Sequence, residues 1–89
     1  MGFNSVATRF SENLVRCRSR AGITQEELAH ASSLHRTEIG LLEREARIPR
    51  IDTLVKLRDA LKVSTDDLLA GITWRSGDYR PGAFVEDEQ

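Results

Sequence analysis

Between Thr24 and Arg47 the chain reads TQEELAHASSLHRTEIGLLEREAR, a stretch whose side chains suit contact with base edges and phosphates. Arg36 can offer two parallel N–H donors to guanine O6 and N7, and Glu38 can accept from a cytosine amine. Glu38 would repel phosphates as readily. Thr37 can donate to a base or a phosphate, and Leu41 suits a thymine methyl. At about 100° per residue, Thr37, Gly40, Leu41 and Arg44 share one side of a helix that starts near Arg36. Ile39, Leu42, Glu43 and Ala46 share the other. The first side is expected to face outward, yet it offers a glycine, a bare leucine and few charges. A mid-helix glycine costs about 1 kcal/mol relative to alanine. A surface approached closely by a major groove would explain it, since that groove admits an α-helix. The competing account is an ordinary helical hairpin, with Arg36 solvated and Leu41 against a neighbouring subunit or loop.

Phosphates need donors rather than readers. Thr24 and Gln25 open the preceding helix, where free backbone N–H groups and the positive dipole end attract an anion. Arg44 and Arg47 stand at the far end of the second helix and in the loop beyond, placed for phosphates, with the minor groove an alternative for Arg47. His35 is a further phosphate contact, and His30 a surface residue. Enzyme chemistry finds no purchase. Two histidines and one cysteine fit no zinc spacing. The serines lack evident base and acid partners, and no phosphate-binding glycine loop is present. No catalytic residue, metal, cofactor or small-molecule ligand is expected.

Those residues require two short helices joined by a tight turn. Thr24 with Glu27 three residues later is a capping box that opens the first of them. The break falls at Ser32-Ser33-Leu34. Ser33 needs a costly backbone conformation if it makes the turn, and His35 is a poor N-cap that Ser33 partly replaces. With Glu45 after Glu43-Arg44, the second helix is expected to run on to Ala46. Before this pair, Phe3, Phe10, Leu14, Cys17 and Ala21 mark an amphipathic helix from about Ser5 or Val6 to Ala21, ended by Gly22. Cys17 lies on its apolar stripe and is read as a buried structural thiol. Pro49 keeps Ile48 out of helical geometry, so Arg47–Arg50 is a linker. A fourth helix follows from about Asp52 to Lys62, with Leu54, Leu57 and Leu61 buried. Ser64 to Asp67 reads as a second capping box, and a short fifth helix ends near Leu69 or Ala70 before Gly71.

Several of these motifs stand together in register: Gly22-Ile23-Thr24-Gln25-Glu26-Glu27-Leu28-Ala29, Leu34-His35-Arg36-Thr37-Glu38-Ile39, Leu42-Glu43-Arg44, Pro49 and Thr53-Leu54. Over residues 8–69 the chain resembles the Xre family of lambda-repressor-like DNA-binding domains, and small restriction–modification controller proteins among them. The resemblance implies an all-α fold, a compact five-helix domain over residues 1–70, followed by a short extended tail over 71–89. It implies that Gln25 contacts the DNA backbone, as the matching glutamine does in lambda-type repressors. It also implies an interior salt bridge between Arg18 and Glu43. Glu43 falls by helical phase on the buried side, where a carboxylate requires a partner. Ser33, His35 and Glu45 depart from the family pattern, which has a turn glycine, a capping serine or threonine, and a glycine at those positions.

Eighty-nine residues make one small domain, and one cysteine excludes an internal disulfide. No run of roughly 18 apolar residues could span a membrane, no signal-peptide core is present, and a cytoplasmic location is expected. The net charge of −1 is low for a nucleic-acid binder. Its distribution is uneven: residues 1–69 hold 11 Lys and Arg against 10 Asp and Glu, the rest 2 against 4. Beside Ile72 the tail holds Trp74, Tyr79 and Phe84, aromatic content unlike a disordered segment. It is expected to form part of a dimer interface; the alternative is that Trp74 covers its own helices one and five. The expected function is sequence-specific binding of double-stranded DNA by a homodimeric repressor on a palindromic operator. Alternatives are an antitoxin or controller protein that autoregulates its operon and binds a partner protein, and an adaptor that keeps the fold without binding DNA.

Overall fold

The computed structural model describes residues 2–77 and 81–86, with side chains over 6–77 and 81–85. Five helices precede two strands: α1 Gly2–Ala21, α2 Gln25–Ser32, α3 Arg36–Glu43, α4 Ile51–Leu61, α5 Thr65–Leu68, β1 Ile72–Arg75 and β2 Ala83–Glu86. Each helix contributes leucines or their equivalents to one core. Phe10, Leu14 and Cys17 come from α1, Leu28 and Ala29 from α2, Ile39 and Leu42 from α3, Leu57 and Leu61 from α4, and Leu68 from α5. Leu54, expected in the buried stripe of α4, is only half-buried, and Thr53 is buried beside it. The expected capping boxes are present at both Thr24/Glu27 and Ser64/Asp67.

The helix ends explain where the turns fall. Gly22 ends α1 at φ +71°, as expected of a residue without a Cβ. Ser33, Glu45 and Lys62 take the same left-handed conformation at φ 58°, 65° and 58°. After α2 the Ser33 N–H bonds the His30 carbonyl and the Leu34 N–H bonds that of Ala29. After α3 the Glu45 N–H bonds Leu42 and the Ala46 N–H bonds Leu41. Paired bonds of this kind satisfy the last carbonyls of a helix. α3 therefore stops at Glu43 instead of reaching Ala46, and Ala46 is exposed. Glu45 does at that point what a glycine does in the family pattern.

A left-handed non-glycine residue is strained by about 1–2 kcal/mol. Ser33→Gly removes that strain and adds about 0.4–1 kcal/mol of unfolded-chain entropy against it. A net gain of roughly 0.5–1 kcal/mol is expected, read as a higher midpoint in denaturant. A midpoint at or below that of the parent protein would mean that the serine side chain supplies a compensating contact.

The tail is not simply extended. β1 and β2 pair antiparallel, with Ile72 opposite Glu86 and Trp74 opposite Phe84. Those two rings meet edge to face, 5.1 Å between centroids and 69° between planes, a favoured aromatic geometry. A Cβ on Gly82 would run into the Trp74 ring and the Arg75 carbonyl, so the returning strand needs a glycine there. Ile72 packs on the helical core, while Trp74 remains 54% exposed. Tyr79 and Asp78 lie outside the described residues.

Candidate nucleic-acid interface

α3 is fastened from behind by α1. Arg18 Nε and Nη2 donate to the two carboxylate oxygens of Glu43 at 2.6 and 2.9 Å, a bidentate pair. Gln25 Nε2 adds a third bond to Glu43 Oε1 at 2.8 Å, and Arg18 Nη1 donates to the Ile23 carbonyl. The Glu43 side chain is 6% exposed and that of Arg18 19%. Burial pushes the Glu43 carboxyl up, but the Arg18 and Gln25 hydrogen bonds and the Arg18 charge outweigh it and leave its pKa below the ordinary value. Ser11 Oγ donates to the Glu43 carbonyl, and Thr8 Oγ1 to the Glu45 carboxylate. Asn13, buried and unsignalled by any motif, donates Nδ2 to the Leu68 and Ala70 carbonyls and so ties α1 to the end of α5.

What α3 turns outward is Arg36, Thr37 and Arg44, all exposed, with Leu41 half-buried. Two expectations for this face need correction. Leu41 is not bare, and Gly40 is buried. With no Cβ at Gly40, the Arg44 side chain four residues on falls back over it. Helical side chains lean toward the N-terminus, which makes i and i+4 neighbours. Arg36 meets Glu26 at the start of α2, Nε to Oε2 3.4 Å, with both side chains well exposed. Such a pair contributes little, so Arg36 is easily given to another partner. Glu38 accepts from Arg47 Nη1 at 2.9 Å, which occupies both residues in one ion pair.

The start of α2 also carries Thr24, whose hydroxyl oxygen caps the Glu27 N–H. One N–H of the Gln25 amide is engaged by Glu43, leaving the second available. His35 begins α3 without a side-chain cap, and Ser33 supplies none. His35 and Arg47 line an open cleft with Arg50, which precedes α4, and Lys56 in the middle of α4, opposed by Glu38 and Asp52. Arg50 and Lys56 were not singled out by sequence reasoning. Linker position and an exposed helical phase were their only signals. Cys17 stands apart from this surface, its thiol pushed up by burial despite the Arg16 charge, and is protonated at neutral pH.

A helix–turn–helix fastened to a first helix, with its second helix outward, defines a nucleic-acid-binding class of fold. The model of the helix-turn-helix family matches residues 14–68, and the chain belongs to that family. It is 39% identical over 67 residues to control protein C.SmaI of Serratia marcescens, covering 75% of this chain and 80% of that one. Identity to control protein C.BamHI of Bacillus amyloliquefaciens is 36% over 67 residues, 74% and 83% of the two chains. Among solved structures, the restriction-modification controller protein C.AhdI from Aeromonas hydrophila superposes with a TM-score of 0.67 at 32% identity, covering 70% of this chain and 94% of that one. The controller protein C.Esp1396I, solved as a tetramer in complex with its natural 35 base-pair operator, gives 0.63 at 36% identity over 66% and 78%.

Proposed function

We propose that this protein is a sequence-specific double-stranded DNA-binding transcriptional regulator, a homodimeric repressor acting on a palindromic operator in the cytoplasm. The observation that carries this is the locked α3: its inner side is held by Arg18 and Ser11 and the turn after it by Thr8, while Arg36 and Thr37 are exposed on its outer side. Arg36 and Thr37 face base edges, and Thr24, Gln25, His35 and Arg47 face the backbone, with Glu38 holding Arg47. The role is binding, without catalysis. In a two-fold dimer the α3 helices would lie one duplex turn, about 34 Å, apart. Retardation of the DNA upstream of its own gene, at several salt concentrations, tests the proposal. Retardation that weakens as salt rises is expected. No retardation even at low salt would favour an adaptor.

Residues 1–70 form the DNA-binding unit in this account, and 71–89 extend the dimer interface. Trp74 at 54% and Phe84 at 38% exposure are the support, since aromatic pairs of this size anchor small interfaces. Trp74→Ser with Phe84→Ser is expected to shift the protein toward monomer in sedimentation at micromolar concentration. A dimer unchanged by both substitutions would place the interface elsewhere. The similarity to two control proteins favours one variant of the same function, a controller that represses its own operon and binds a partner protein. Co-purification of such a partner tests it.

A further inference from the structure

We propose that Arg44 reads a base and that Gly40 is the residue that positions it. This rests on the DNA-binding function proposed above and reassigns Arg44 from the phosphate contacts expected by sequence position. Arg44 follows the last residue of α3, where an outstretched side chain would meet the sugar–phosphate backbone. It is not outstretched. Its Nη1 and Cζ lie 3.1 and 3.9 Å from the point a Cβ on Gly40 would occupy. The guanidinium is therefore carried a full turn back, onto the side of α3 that also holds Thr37. There the helix would press against the floor of a major groove, and a planar fork of donors matches guanine O6 and N7.

The charges around it sharpen the assignment. Arg47 is held by Glu38 at 2.9 Å, and Arg36 and Arg50 rest in looser, exposed contacts with Glu26 and Asp52 at 3.4 and 3.3 Å. Among the described residues the Arg44 side chain forms no hydrogen bond or ion pair, its backbone N–H alone bonding the Gly40 carbonyl, so no internal partner has to be released before the guanidinium meets DNA. Gly40 is otherwise a poor choice in mid-helix, where alanine is the better helix former. Its φ is ordinary, so the backbone does not demand glycine. The space above it is what the glycine supplies, and Arg44 fills that space.

A duplex selected by the parent protein from a randomised pool, and a random-sequence duplex of equal length, are the two probes. Gly40→Ala is expected to melt at or above the parent temperature, because only the far end of a flexible side chain must move. It should nevertheless lose about ten- to a hundred-fold in affinity for the selected duplex, the span of one bidentate base contact. Arg44→Lys keeps the charge, so it should lose as much on the selected duplex while binding random DNA with an unchanged salt slope. Equal losses on both duplexes, or selected-site binding by both variants at the parent level, would return Arg44 to the backbone. A parent protein that enriches no sequence at all would instead sink the DNA-binding function itself.

Discussion

Replacing Glu43 by alanine is expected to cost about 3–5 kcal/mol of fold stability. The substitution leaves Arg18, only 19% exposed, with the Ile23 carbonyl as its remaining acceptor. It also strips the Gln25 amide of its partner. The loss reflects an uncompensated buried cation, and is larger than the net worth of the pair. For a domain of this size it would lower the melting temperature by well over ten degrees. A melt within a degree or two of the parent would show that water reaches Arg18 freely. The acid limb carries a second signature. Because the folded Glu43 pKa is lowered, its stabilisation is complete above the ordinary carboxylate value of about 4.3 and is lost as pH falls through the lowered value. Asp67, lowered by the Ser64 backbone N–H and hydroxyl, acts in the same direction. Glu43→Ala should therefore flatten stability against pH below about 4.3. A limb as steep as that of the parent would assign acid unfolding to other carboxyls.

Arg36→Ala should weaken binding to the cognate site by about 1–3 kcal/mol and relax selection at one base position per half-site. The Arg36–Glu26 contact, at 3.4 Å between exposed side chains, is too weak to hold the guanidinium back. Removing Arg36 frees Glu26 near the phosphates, so a small additional loss on random DNA is expected. The comparison of selected and random duplexes decides its role. Equal weakening on both would make Arg36 a backbone contact.

Much of the fold was legible because local chemistry announces it. Thr24 with Glu27, and Ser64 with Asp67, are self-contained boxes whose partners lie three residues apart, so no tertiary knowledge is needed to see them. Gly22 and Gly71 announce left-handed positions for the same reason. Ser33 and Glu45 were recognisable only by standing where a glycine is usual, and Lys62 gave no such notice. A left-handed glutamate is chosen by the two hydrogen bonds that close α3 and by Thr8 reaching its carboxylate from α1, 37 residues away. For that reason the end of α3 was expected at Ala46 and lies at Glu43.

The sequence by itself determined the helix–turn–helix, the family, the outward side of α3 to within a residue or two, and the need for a partner to Glu43. Periodicity and the cost of a buried carboxylate suffice for those. Only the tertiary structure decided which outward charges meet each other. Arg47 pairs with Glu38, Gln25 turns inward to Glu43, and Arg44 folds back over Gly40. Helical phase gives the direction in which a Cβ leaves the backbone. A guanidinium is several rotatable bonds further on, and its position depends on what neighbouring elements put within reach. The tail shows the same division. Its aromatics signalled burial of some kind, but the pairing of Trp74 with Phe84 depends on a register that only the folded hairpin supplies.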